Sequence, residues 1–183
     1  LSGIAILVWR MIAQQQAEAR YHAGLVRSLQ ISSDAFVDNG DIPVEFSCEG
    51  EGISPPLEWT GLPKGTRPLA LLVTGEDLPS PGLSLFKIVH WVLYNIPSDV
   101  SELDPGVTDA ELSGLGIQVG PNWSRETEYY PPCPVSGSHR YVFRLYALDV
   151  DAIQPKKNNR RGVLKAMENH VIAYGELNGF YAK

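Results

Sequence analysis

Two histidines, a tyrosine and an aspartate stand where this chain passes between strand-like runs and tight turns. Asp77 lies in "LVTGEDLPSPG", His90 in "FKIVHWVLYN", and His139 with Tyr141 in "PPCPVSGSHRYVF". Imidazole N–H and phenol O–H groups are donors that can reach the oxygens of an anion. The same groups could instead move protons, with His139 or His90 as general acid or base and Asp77 setting the tautomer. Two histidines and one carboxylate could also hold a metal, although no H-x-x-x-H spacing occurs. Residue types alone leave all three open. A lone histidine on an apolar strand is more often a satisfied core group than a ligand, and for His90 by itself that is the default reading.

The elements that must carry these residues are mainly strands. Seventeen glycines and fourteen prolines punctuate short β-prone runs in a chain of 183 residues, a length that fits one domain with a sizeable core. "LVRSLQISSDAF" and "VEFSC" read as strands on either side of an Asn39-Gly40 turn, followed by an irregular segment through Leu57 and Trp59. "LALLVTGED" is predicted as a buried strand ending near Asp77, and "LFKIVHWVLYNIP" as a central one. Strict alternation in the latter places Ile88, His90, Val92 and Tyr94 on one face, opposite Val89, Trp91 and Leu93. Residues 98–130 show no periodicity and read as a long loop. From His139 the alternation puts His139, Tyr141, Phe143 and Leu145 on one face, reached through a stiff proline stretch and a bend at Gly137. A helix carrying Val163, Leu164, Met167 and Val171, then a short strand, closes the chain.

Residues 1–24 are predicted as an amphipathic helical arm and 25–183 as the domain proper. Ile4, Leu7, Val8, Met11 and Ile12 fall at helical spacing, but the continuous apolar run from Ile4 to Trp9 is far shorter than a membrane span. The arm is expected to pack on the domain or on a partner; the rival reading is the tail of a membrane anchor, since the chain starts at Leu1 without methionine. The net charge of −6 argues against a nucleic-acid partner. Membrane contact is expected only through the arm or the basic loop at 156–161, which is otherwise a solvated loop. Cytoplasm is the expected compartment, with a periplasmic, secreted or membrane-anchored protein as the alternative if the amino terminus is truncated. Two cysteines, Cys48 and Cys133, exclude a disulfide framework or a four-cysteine zinc site. Two free buried thiols are the plainer reading and a single bridge the alternative.

"SSDAFVDNGDIPVEFSCEGEGISPPLEWTGLPKGT", "HWVLYNIP", "PPCPVSGSHRYVFRLYALD" and "AMENHVIAYGELNGFY" closely resemble the phosphatidylethanolamine-binding protein family, in its bacterial and archaeal branch similar to Raf kinase inhibitor protein. The resemblance runs in order from about Leu29 to Tyr181. It implies a large central β-sheet packed against a smaller one, a carboxy-terminal helix, and a pocket that accepts phosphorylated head groups or carboxylates. His90 and His139 match the family's pocket histidines, Tyr141 its pocket tyrosine, and Pro132 and Pro134 its proline wall. The family's D-P-D-A-P segment is replaced here by "TGEDLPSPG". Without a gap, Gly75 takes the first aspartate's place and Asp77 the second; with a two-residue insertion, Asp77 comes first and Pro81 last. Asp77 is expected to be the pocket acid either way. The resemblance implies no metal and no cofactor. It points to a binding protein that regulates a partner such as a kinase, with a homodimer as one form, and to lyase- or isomerase-type chemistry in the same pocket as the alternative.

Overall fold

The computed structural model describes residues 3–80 and 83–183, the side chains of 78–84 excepted. Its elements are α1 (Gly3–Ala23), β1 (Gln30–Ser32), β2 (Gly40–Asp41), β3 (Leu57–Thr60), β4 (Pro68–Ser80), β5 (Leu83–Pro97), β6 (Glu102–Leu103), α2 (Asp109–Gly114), β7 (Gln118–Gly120), β8 (Ser138–Leu148), α3 (Arg160–Met167) and β9 (Val171–Ala182). Six strands form the large sheet in the order β2-β9-β8-β4-β5-β7, and β1, β3 and β6 form the small one.

Alternation along β4 and β8 divides the core in two. Leu69, Leu71, Val73, Phe143 and Leu145 face the small sheet with Trp59 and Phe46. Ala70, Leu72, Tyr146 and Leu148 face the opposite side, with Val163 and Met167 of α3. Both faces of the central strands are therefore covered, which is why their sequences read as near-continuous apolar runs.

Several boundaries differ from the sequence reading, each for a local reason. "VEF" forms a single 3-10 turn after Pro43 instead of a strand, and Asn39-Gly40 leads into β2, which pairs in parallel with β9 and makes no hairpin. The segment read as irregular contains β3, whose Leu57 and Trp59 are buried in strict alternation. The long loop holds β6, β7 and the short helix α2, which a capping box between Thr108 and Glu111 initiates. Val171 begins β9, and that strand is long: it pairs with β8 from Ser138↔Ala182 to Leu148↔Val171.

The arm is helical as expected, but its two halves behave differently. Toward its end, Glu18 forms ion pairs with Lys87 of β5 and Arg160 of α3, and His22 Nε2 and the Tyr146 hydroxyl share a hydrogen bond of 2.8 Å. Toward its start, Ile4, Leu7 and Trp9 are exposed, so that half does not pack on the domain. Among the described residues, no helix is long and apolar enough to cross a membrane.

Under the arm lies a chain of charges that the sequence did not suggest. Glu76 is buried and bonded to Thr74 and Arg144, with Lys87 2.8 Å away, and Arg144 also donates to Glu176. Burial alone would raise the Glu76 pKa, but Arg144 and Lys87 outweigh it and hold the carboxyl at about 2.

Candidate functional site

The pocket residues converge because β4, β5 and β8 are neighbours, and because one strand breaks the alternation. On β4, Gly75 and Asp77 point to the small-sheet side while Glu76 points the other way. On β8, His139 and Tyr141 take the same side as Phe143, as expected. Gly75 pairs directly with Tyr141 and with Ile88. On β5 the register with β4 slips between Val73↔Trp91 and Thr74↔Val89, leaving His90 as an extra, unpaired residue. This bulge turns His90 to the same side as Trp91 and Leu93, whereas strict alternation had grouped it with Val92 and Tyr94. Without the bulge, either Trp91 would leave the core or His90 would leave the pocket.

The result is a small cavity of about 50 Å³ lined by Asp77, His90, Pro134, His139 and Tyr141, with Gly75, Ile88, Tyr130 and Cys133 completing the wall. Pro132 is placed differently from the expectation. It is buried outside this lining, where its carbonyl accepts a hydrogen bond from the Cys48 N–H at 3.0 Å. Gly75 and Asp77, the two positions that the alternative alignments bring to the acidic segment, both line the cavity, two residues apart on one face. Pro81 lies outside the described residues. Trp123 does not reach the cavity; it stacks on Phe86 at 6.4 Å between ring centroids and is 54% exposed.

The wall that carries Pro134 is anchored covalently. Cys48 and Cys133 form a disulfide across 85 residues, which overturns the reading of two free thiols. Gly137 takes the bend before β8 at φ 78°, a left-handed conformation that glycine adopts without penalty.

Backbone carbonyls fix which ring nitrogen of each imidazole donates. His90 Nδ1 lies 2.6 Å from the Tyr130 carbonyl, which can only accept, so Nδ1 carries the proton. Burial lowers the His90 pKa to about 4, an effect that the Tyr130 bond only partly offsets. His90 is therefore neutral at pH 7, and its Nε2, which faces Gly75 and Tyr141, is an acceptor rather than the donor anticipated from sequence. By the same logic His139 Nε2–H donates to the Ser136 carbonyl at 3.1 Å. Its Nδ1 is buried without a hydrogen bond, 3.5 Å from Asp77 Oδ1. Asp77 is itself held by the Arg140 backbone N–H at 3.0 Å. The Tyr141 phenol is pushed well above its ordinary pKa, first by burial and then by the nearby Asp77 carboxylate, so it remains an O–H donor. Its ring meets His90 edge-on, with centroids 5.0 Å apart.

This arrangement offers one strong donor, one acceptor and one carboxylate in a space of a few heavy atoms. No Lys or Arg is among the residues lining it. Among the described residues, no group of three His, Cys, Asp or Glu is placed to hold a metal ion.

Comparison with known proteins gives a consistent picture. The family model for phosphatidylethanolamine-binding protein matches residues 32–182. A UPF0098 protein of Methanothermobacter thermautotrophicus is 42% identical over 156 residues, covering 85% of this chain and 99% of the relative. Among solved structures, a phosphatidylethanolamine-binding protein homologue of Chlamydia trachomatis superposes with a TM-score of 0.74 at 36% identity, over 86% of this chain and 99% of the other. Escherichia coli YbcL superposes with the same TM-score, 0.74, at 26% identity, over 85% of this chain and 99% of its own.

Proposed function

The chain belongs to the phosphatidylethanolamine-binding protein family, and from that premise we propose that its pocket binds the phosphoryl or carboxylate tip of a small ligand, taking a phosphoryl group in its singly charged form. The observation that carries this reading is the convergence of Asp77, His90, His139 and Tyr141 on one cavity of about 50 Å³. The cavity is roomier than the single probe sphere of about 10–15 Å³ that holds one water, and its depth suits a tetrahedral or planar oxyanion at the tip of a ligand. A doubly charged phosphate would meet the Asp77 carboxylate with no Lys or Arg among the lining residues to offset it. A singly charged one keeps a P–O–H that donates to His90 Nε2, while another of its oxygens accepts from the Tyr141 hydroxyl.

Calorimetric titration with phosphoethanolamine and with inorganic phosphate tests this directly. A phosphate monoester loses its second proton near pH 6, so binding should tighten as pH falls from about 8 to about 6. Tyr141→Phe and His90→Asn should each weaken it. Equal affinity at both pH values would overturn the charge-state assignment, and absence of binding at millimolar ligand would overturn the pocket itself. Appearance of product during the titration would instead favour the acid–base enzyme.

The disulfide supports a reading of compartment as well. Such bonds persist where the environment is oxidising and are rare in the reducing cytosol of most organisms, which favours the periplasmic or secreted alternative over the cytoplasm. Alkylation of the protein as isolated from its host, without added reductant, should leave both cysteines unlabelled. Two labelled cysteines would return it to a reducing compartment.

A further inference from the structure

We infer that the first half of α1 is a membrane-insertion element, and that the basic surface beside it rests on anionic lipid head groups. This goes beyond the pocket reading and does not depend on it. Ile4, Ile6, Leu7, Trp9 and Ile12 are 76%, 44%, 60%, 69% and 40% exposed. At about 100° per residue Ile4, Ile6, Leu7 and Trp9 are spread around the helix, with no gap wider than about 140°, and Ile12 one turn on lies within that gap. A protein groove or a second copy of the chain covers one face of a helix; an apolar surface on all sides matches a medium that is apolar on all sides. No charged residue occurs between Gly3 and Trp9, so no ionised side chain opposes entry of that stretch into hydrocarbon. Trp9 and Arg10 then follow in the order expected at a bilayer surface, an aromatic ring at head-group level and a cation beyond it.

Charge complementarity argues for the same occupant. Although the chain carries a net charge of −6, an open groove of about 550 Å³ is lined by Trp123, Arg125, Arg160 and Arg161. Arg160 also lines the cleft between α1 and β5, together with Met11, Phe86 and Lys87, so the basic groove and the arm form one continuous surface. Lys156 and Lys157 are exposed in the loop just before α3. The ion pairs of Glu18 with Lys87 and Arg160 hold the arm to the domain, so a tip inserted in lipid would carry the domain with it.

Flotation of the full 183-residue chain with phosphatidylcholine vesicles, with and without phosphatidylglycerol, tests this. The chain should float with vesicles, more strongly when phosphatidylglycerol is present. The exposed-site variant Ile4→Glu/Leu7→Glu should reduce partitioning roughly tenfold or more while leaving the thermal melt unchanged. Arg125→Glu/Arg161→Glu should remove only the phosphatidylglycerol-dependent part. His139→Ala should float like the parent, which separates failure of this inference from failure of the pocket reading. A chain that stays at the bottom of the gradient with both vesicle types would overturn it, as would equal flotation of Ile4→Glu/Leu7→Glu. Discrete dimers in sedimentation that the same variant abolishes, without flotation of the parent, would assign the surface to a second copy instead.

Discussion

His90 gives the sharpest stability prediction, because its neutral state is forced by burial and by a hydrogen bond that cannot reverse. Burial lowers its pKa from the ordinary 6.5 to about 4. Above pH 6.5 the group is neutral in folded and unfolded chains alike and contributes no pH dependence. As the pH falls below 6.5 the unfolded chain takes up a proton that the folded chain refuses, so folding stability decreases until the folded pKa is reached. With these two values the loss is about 2 kcal/mol at pH 5 and about 3 kcal/mol at pH 4, a large share of the roughly 5–15 kcal/mol that holds a typical domain. Other groups titrate in the same window, including His22, whose pKa burial and the nearby Arg144 also lower to about 4. The test is therefore a difference: urea unfolding of the parent and of His90→Asn at matched pH values. The asparagine amide can still donate to the Tyr130 carbonyl but does not titrate. His90→Asn should be less stable at pH 7, through lost packing, and its stability should fall less steeply toward pH 4 by about the amounts given. Identical pH slopes for the two proteins would refute the buried neutral assignment.

Other consequences follow from neighbouring contacts. A Cβ on Gly75 would stand 3.2 Å from His90 Nε2 and 3.6 Å from the Tyr141 ring, so Gly75→Val should fold but lose phosphoethanolamine affinity by tenfold or more in calorimetry. Arg144→Leu removes one of the two cations beside the buried Glu76, leaving Lys87, and should cost about 3 kcal/mol in urea unfolding, breaking a buried pair being worth about 3–5 kcal/mol. Cys48→Ser/Cys133→Ser opens a closure of 85 residues, worth about 4.6 kcal/mol by chain entropy. Because Cys133 lines the cavity, ligand affinity should fall together with the melting temperature; a melt that falls with affinity intact would mean that the wall does not need its anchor.

The parts of the fold legible from sequence are those where one rule operates alone. The β8 stretch from His139 alternates without interruption, and its facing came out as read. β5 did not, because its bulge depends on how β4 pairs with it, and a period of two has no place for an extra residue. β9 was read as short, and Gly175 and Gly179 interrupt its apolar residues. Those glycines instead mark close approaches: a Cβ on Gly175 would lie 2.4 Å from the Leu29 carbonyl oxygen, and one on Gly179 would lie 2.5 Å from the Ile42 side chain. The capping box from Thr108 to Glu111 was a visible signal for α2 in a segment taken for loop. Glu76 fell within the strand read from "LALLVTGED", but nothing local marked it as a buried charge, because its partners Arg144 and Lys87 are distant in sequence. The disulfide had no local signature at all, because nothing near either cysteine reveals that the proline wall crosses the segment around Cys48. The donor and acceptor roles of the pocket histidines were equally out of reach, being set by the carbonyls of Tyr130 and Ser136.

The most direct test of the pocket as an anion site uses the four histidines as internal probes. Ring proton signals of His22, His90, His139 and His170 would be followed by NMR as phosphoethanolamine is added at about pH 6. Those of His90 and His139 should move together with one dissociation constant, while those of His22 on the arm and His170 before β9 stay in place. Unmoved His90 and His139 signals at millimolar ligand, or movement of all four alike, would contradict a ligand held where Asp77, His90, His139 and Tyr141 meet.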